Sequence, residues 1–377
     1  MLKKILIPIA VTLLSVACEQ APVQPRPTLY LVHSIAADST GFGALVAQSG
    51  RRGGEGSIAI IGEPESAIFL GRLFRDCDRV DNVDGSLGRD SLPDFAGERF
   101  DVIMDAYAAP YGRFWSEAQL LEDSLRYTVL DSLREVAVRN AVNAWDTTSW
   151  RRTKDVRPVL RKQGAKMIIL TSSLQARWGF FDVDTLQQMC GGNCPVISPV
   201  YTLLDEAYAS GAREMAVWTS KEVASASVWE EVFAEKGWAD AHLTVIAPSD
   251  TLAVQTDLRE VLRRYRETGR VLDALLIDQY DVPVTHLKYE FQQIRQEELE
   301  EDVAFQAMLS PGFAIMEPGS SLVRYAYRLL RERHLFAHHI SRPEVVYYES
   351  VESRKGTPIL VETSAEYAQS TYVPDID

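Results

Sequence analysis

The sequence predicts an α/β protein of two Rossmann-like lobes, each with a parallel sheet, and a ligand cleft between them. Three observations carry this. Short apolar runs alternate with amphipathic helical segments, the pattern of parallel strands joined by crossover helices. Several of the runs end in polar residues, where α/β proteins place ligands. The length, 377 residues, suits two lobes. The strand candidates are Thr28–Val32, Ser57–Gly62, Phe100–Met104, Met167–Leu170, Glu214–Trp218, Leu243–Ile246, Ala274–Ile277 and Phe313–Met316. Helical periodicity runs through Glu117–Trp145, Ser198–Ala209, Ser225–Lys236, Asp257–Glu267 and Ser321–Arg333. Residues 63–98 hold GEPES and NVDGSLGRDSLPD and read as an inserted surface excursion. Residues 287–308 read as one charged helix with a solvated face, through Glu297, Glu298, Glu300, Glu301 and Asp302. Glu344–Tyr348 and Pro358–Glu362 look like strands and Ala365–Tyr372 like a closing helix, a cap on the first lobe or a pairing edge. The expected division is 28–195 with 312–377 for the first lobe and 196–311 for the second.

The N-terminus reads as an address. Lys3 and Lys4 precede the apolar Ile5–Leu14. That run is short against the roughly 20 residues of a membrane span. Ser15, Val16 and Ala17 then lead to Cys18, as in a lipoprotein signal cleaved before an acylated cysteine, with Ser15 where Leu is usual. The alternative is an ordinary secretory signal with a chance cysteine. Residues 18–27 form a Pro-rich tether. The expectation is a lipid-anchored body in the cell envelope, facing the periplasm or exterior.

Removing residues 1–17 takes away Lys3, Lys4 and no acid. The remaining chain has 37 basic residues against 53 acidic ones, net −16. That balance argues against nucleic acid as a partner. Besides Cys18 there are Cys77, Cys190 and Cys194. Cys190-Gly-Gly-Asn-Cys194 reads as a small disulfide loop with Cys77 unpaired, because a zinc site lacks two further ligands at a suggestive spacing. His334 and His338 stand at i, i+4, but charge at a helix C-terminus is the favoured reading. No metal and no cofactor is expected.

Six segments, in order, resemble the aspartate/glutamate racemase superfamily, especially glutamate racemases. They are Asp38-Ser39-Thr40-Gly41-Phe42-Gly43; Asp105 with Pro110-Tyr111-Gly112; Met167–Ser173; Pro195-Val196-Ile197-Ser198 with Gly211–Thr219; Asp273–Pro283; and Ala314–Ser320. The resemblance implies two thiols that remove and return an α-proton on opposite faces of an amino acid. At the positions matching those cysteines this chain holds Thr171 and Gln279. Thr171 lacks an evident activating partner and Gln279 does not titrate. The family's histidine after the second cysteine matches Asp281, the first motif's asparagine matches Ser172, and a substrate-binding threonine of the second lobe falls near Glu222.

The resemblance also implies ligand contacts at Asp38, Ser39, Pro110, Tyr111, Gly112, Ser172, Ser173, Thr219 and Tyr280. The leading expectation is a racemase-like protein without two-cysteine catalysis, binding an amino acid or carboxylate, or an envelope protein. The first alternative is an isomerase using carboxylates in the same cleft, with Asp105 and Asp281 as acid and base and Asp278 and His286 close by. The second is a substrate-binding lipoprotein of a transporter.

Overall fold

A computed structural model describes residues 26–51, 53–80, 92–248, 258–280, 282, 284–296, 299–354 and 356–373. Cys18 and Asp281 lie outside the described residues. The chain opens with α1 (Tyr30–Ala37) and α2 (Phe42–Ser49), then β1 (Ser57–Gly62), α3 (Pro64–Arg75) and β2 (Arg99–Met104). Next come α4 (Gly112–Gln119), α5 (Asp123–Trp145), a small pair β3 (Thr148–Ser149) and β4 (Leu160–Arg161), and β5 (Ala165–Leu170). Then follow α6 (Ser173–Arg177), α7 (Phe180–Cys190), β6 (Val196–Ile197) and α8 (Pro199–Ala209). The second sheet begins with β7 (Glu214–Trp218), α9 (Lys221–Ser225), α10 (Val228–Lys236) and β8 (His242–Ile246). It continues through α11 (Leu258–Tyr265), β9 (Leu272–Ile277), α12 (Val284–Gln296), α13 (Glu300–Met308) and β10 (Leu309–Met316). The chain closes with α14 (Pro318–Glu332), β11 (Glu344–Glu352), β12 (Pro358–Thr363) and α15 (Ala365–Tyr372).

The strands form a six-stranded sheet in the order β12-β11-β2-β1-β5-β6, parallel except for β12, and a parallel four-stranded sheet in the order β10-β9-β7-β8. Strands β1 and β5 are buried along their whole length, as expected where helices cover both faces. Side chains alternate between those faces. Ala59, Ile61, Ile168 and Leu170 pack with the apolar faces of α1, α2, α5 and α7. Ile58, Ile60, Met167 and Ile169 pack on the other side with α3, α14 and α15. In the second sheet Met215, Val217 and Leu276 face one core, and Ala216, Leu275 and Ile277 the other.

One core belongs to both lobes. Tyr111, Phe114, Leu130 and Leu133, from the β2–α4 loop, α4 and α5, pack in a single cluster with Leu174, Val200, Leu203, Trp229, Val217 and Leu276. The sheets are thus joined by continuous apolar packing.

Several expectations are corrected. Thr28–Val32 is not a strand: Leu29, Val32 and Ile35 recur every third residue and bury one face of α1. Residues 64–75 are no surface excursion but the β1–β2 crossover helix, with Pro64 in its first turn. Gly71 lets this helix lie on β2, since a Cβ there would meet Val102 Cγ2 at 2.4 Å. The helix expected over 117–145 is interrupted at Leu120–Glu122, where Arg126 bonds the Ala118 and Leu121 carbonyls. The charged helix of 287–308 divides. Glu300, Glu301 and Asp302 occupy the first turn of α13, where acids suit the positive end of a helix. Asp302 is buried beside Arg259, not solvated. The lobe boundaries also move, because β6 pairs with β5 in the first sheet while β10 pairs with β9 in the second. The tail is a pairing edge, with β11 extending the first sheet beside β2.

Cys190 and Cys194 are free thiols, not a disulfide. Cys190 ends α7, Gly191 takes a left-handed φ of 75°, and the Cys194 thiol turns inward toward the Ala165 carbonyl at 3.8 Å. Gln187 holds this turn by accepting the Cys194 N–H at 2.7 Å. Cys77 donates to Asp94 at 2.8 Å. After α14, His334 takes a φ of 53°, so the helix does not continue to His338.

Leu203 is fully buried in the shared core, so Leu203→Ala is expected to cost about 2–5 kcal/mol. Urea unfolding should shift as one transition, with coincident circular dichroism and tryptophan fluorescence curves. Separate transitions for the lobes would contradict the shared core.

Candidate functional site

The C-terminal ends of the two sheets face one another. The first lobe brings Glu63 after β1, Asp105 to Gly112 after β2, and Thr171 to Ser173 after β5. The second brings Thr219 to Glu222 after β7, Asp278 to Tyr280 after β9, and Glu317 after β10. Direct bonds close the junction. Ser173 Oγ of the first lobe donates to Asp278 Oδ1 of the second. Tyr280 Oη donates to the Thr171 carbonyl at 3.0 Å. Glu222 lies against Gly112, where a Cβ would stand 3.3 Å from Glu222 Cγ.

Asp278 is the centre of this arrangement. Besides Ser173 it accepts from Thr219 Oγ1 and, at 2.9 Å, from Trp229 Nε1 on α10. Part of the residue still meets solvent, while the carboxyl group itself is enclosed by protein. Burial pushes its pKa up to about 6, against the three donors, which favour the anion. Tyr280, beside it, is pushed up by burial and then by the charges of Asp278 and Glu317.

Asp105 forms a second node. It is buried and accepts from Tyr111 Oη at 2.8 Å, Asn140 Nδ2 at 2.7 Å and the Ala108 N–H at 3.2 Å. Burial raises its pKa, opposed by these donors. Glu63 accepts the Tyr111 N–H at 2.6 Å. Burial raises Glu63 as well, helped by Glu65, Asp105 and Glu222 nearby.

At the end of β5, the buried Thr171 hydroxyl is 2.8 Å from Ser66 Oγ on α3. It lies over Gly62, where a Cβ would be 1.7 Å from Thr171 Oγ1, so this approach requires glycine. Gln279 follows Asp278 directly after β9. A hydroxyl bound to another hydroxyl and a carboxamide are the side chains at these two strand ends.

The structure thus brings together Thr171, Ser173, Thr219, Asp278 and Tyr280, with Asp105 and Tyr111 as a node beside them. Pro110, which follows a cis peptide bond, lies in the loop that leads into α4, and Gly112 is the first residue of that helix. Ser172 stands at the N-terminus of α6. Asp38 and Ser39 sit elsewhere, at the α1–α2 corner, after a helix and not after the expected strand. The Asp38 carboxylate accepts the Gly41 and Phe42 N–H groups at 2.8 and 3.2 Å and caps α2. These bonds hold its pKa down. His286 lies on α12 and pairs with Glu290 at 3.1 Å. Reading the sequence did not find Glu63, Ser66, Asn140 or Trp229. Glu63, directly after an apolar strand, carried a signal that the excursion reading obscured. Trp229 and Asn140 sit inside helices and carried none. Among the described residues, no group of three or more His, Cys, Asp or Glu is arranged to hold a metal ion.

No protein-family model and no curated protein matches this chain. Among solved structures, the chain is similar to glutamate racemase from Francisella tularensis subsp. tularensis SCHU S4, solved with D-glutamate. Identity is 13%, covering 80% of this chain and 90% of that one, with a TM-score of 0.44. It is similar to glutamate racemase from Aquifex pyrophilus at 11% identity, covering 79% and 91%, with a TM-score of 0.46. It is similar to arylmalonate decarboxylase at 15% identity, covering 54% and 75%, with a TM-score of 0.30. Similarity at this level transfers no residue role.

Because the raised Asp278 pKa favours its protonated form in the folded chain, the stability it contributes is present below about pH 4. It is lost as pH rises through about 6. Asp278→Asn, which stays neutral, should therefore gain on the wild type by roughly 2 kcal/mol between pH 4 and 7.5. Urea midpoints at the two pH values measure this, and an unchanged difference would contradict the raised pKa.

Proposed function

We propose that this chain is a racemase-like protein that does not perform two-thiol racemisation, and that its acidic interlobe junction holds a small ligand. The carrying observation is the state of the strand ends. Thr171 is held by Ser66, Gln279 does not titrate, and Asp278 and Asp105 each accept bonds from three groups of the protein itself. A proton-transfer group must be able to reach the substrate's proton. These groups are already engaged. Glu63, Glu222 and Glu317 add further negative charge at the junction. Such a rim repels a substrate α-carboxylate and attracts a ligand presenting ammonium or hydroxyl donors. The ligand class is thus narrower than the amino acid or carboxylate suggested by sequence. A partner protein of the envelope is the other occupant consistent with this reading.

Proton NMR of D- and L-aspartate and glutamate with the protein in D2O is expected to show the α-proton retained. Sustained exchange would overturn the proposal. In a thermal-shift panel, small polar amines should stabilise the chain and dicarboxylates should not. At a hundredfold over its dissociation constant, a ligand adds about 2.7 kcal/mol. Glu63→Gln should diminish that gain.

A second reading, an isomerase using carboxylates, is favoured by one feature: burial pushes the Asp278 pKa up to about 6, toward the working range of a general acid or base. It requires an activity that Asp278→Asn or Asp281→Asn abolishes. A transporter binding protein is less well supported, because hinge opening would have to part the core shared by the lobes.

The N-terminal pattern supports a lipid anchor at Cys18 and a place in the cell envelope, attached to the membrane. Cys18→Ser should move the protein from the membrane to the soluble fraction. Retention in the membrane fraction would contradict the anchor.

A further inference from the structure

A cavity of 290 Å³ lies away from the strand ends, between α6 and α7 of the first lobe and α8 and α10 of the second. Arg26, Arg134 and Arg177 line it, with Tyr201, Glu231 and Glu235. Two of the guanidiniums stack on the buried Trp178 ring, Arg26 at 3.7 Å and Arg177 at 4.6 Å from its centre. Arg134 is neutralised by Asp182 and Asp131. Arg26 and Arg177 instead share one carboxylate, Glu231, with Arg26 at 3.5 Å. Glu231 offsets one of these two charges; Glu235, also in the lining and acting on Arg26, is held by Tyr201, whose hydroxyl donates to it at 2.9 Å. Burial and the neighbouring Arg177 bring the Arg26 pKa down to about 10, as expected of crowded cations. Arg177 Nε and Trp178 Nε1 are buried and make no hydrogen bond. Buried donors in native proteins nearly always have a partner.

We infer that this cavity is a binding site for a small organic anion, a carboxylate or phosphate on a compact apolar body. The Arg26–Arg177 pair would take the anionic group. Planar guanidiniums suit it, because each offers two parallel N–H donors to an anion. Tyr201 and the half-exposed Phe181 provide the apolar wall, at the small end of the volume range of ligand pockets. Glu231 is the internal competitor that occupies the cations when no ligand does. The site is independent of the strand-end reading, although α6 and α10 touch both: Ser173 and Trp229 turn to Asp278, and Arg177 and Glu231 turn to the cavity.

Calorimetric titration of the full chain with benzoate and phenyl phosphate tests this, with benzamidine as a ring of opposite charge. Saturable binding of at least one anion and none of benzamidine is expected. Arg26→Gln should weaken the anion about tenfold, the effect of losing roughly one charge-assisted bond. Glu231→Gln should tighten it, and Asp278→Asn should leave it unchanged. A purely structural pair would not give opposite signs for Arg26→Gln and Glu231→Gln. Failure of both anions to bind overturns the inference, as does benzamidine binding equally well, a readout that needs no variant. Loss of binding in Asp278→Asn would instead place the anion at the strand ends and also overturn it.

Discussion

Asp278 is a carboxylate that the fold has enclosed and then supplied with donors from both lobes. Enclosing a carboxylate is costly unless its oxygens are bonded. The donors arrive from three separate elements: Ser173 at the start of α6, Thr219 after β7 and Trp229 on α10. They meet at one point only because the shared core holds α6 and α10 against the second sheet. The geometry at the strand ends therefore depends on packing behind it, and the packing tolerates a polar centre because each of its bonds is made.

The two edges of the first sheet use charge differently. At the N-terminal edge, buried ions are balanced. Lys166 pairs with Glu98 at 2.7 Å, Lys162 approaches Asp101 at 3.8 Å, and Asp101 also takes bonds from Ser57 and Arg99. A buried pair with both members present is tolerated, whereas either member alone would be expensive. At the C-terminal edge the acids outnumber their partners. Asp105 and Glu63 there, and Asp278 facing them from the second sheet, all have pKa values raised by burial. Unbalanced titratable groups of this kind concentrate at functional sites more than at structural ones.

The strands were legible because they are short and apolar, and β1 and β7 were read to the residue. Their order in the sheets was not. Nothing in a two-residue segment such as β6 says which sheet it will join. Thr28–Val32 was misread because the short apolar run Leu29-Tyr30-Leu31-Val32 satisfies a strand or a helix until the surface it packs on is known. The Cys190–Cys194 spacing permits a disulfide; the left-handed turn at Gly191 and the inward Cys194 thiol decide against it. Thr171, Gln279, Tyr280 and Asp105 could be placed at strand ends from the sequence because they follow apolar strands. Trp229 and Asn140 were not, because a donor inside a helix has no local pattern that marks its partner.

By itself the sequence determined the α/β alternation, the strand ends that carry polar side chains, the thiol-free residues at those ends, and the acidic balance of the chain. These follow from local composition and periodicity, which do not depend on what the chain folds against. The tertiary structure alone decided that the lobes share a core, that Asp278 is a common acceptor for both, and that Arg26 stacks on Trp178 beside Glu231. Those contacts join residues 49 to more than 200 positions apart, as in Trp229–Asp278 and Arg26–Glu231. At such separations, pairing is set by three-dimensional packing and by the shared low-dielectric interior, neither of which has a signature along the chain.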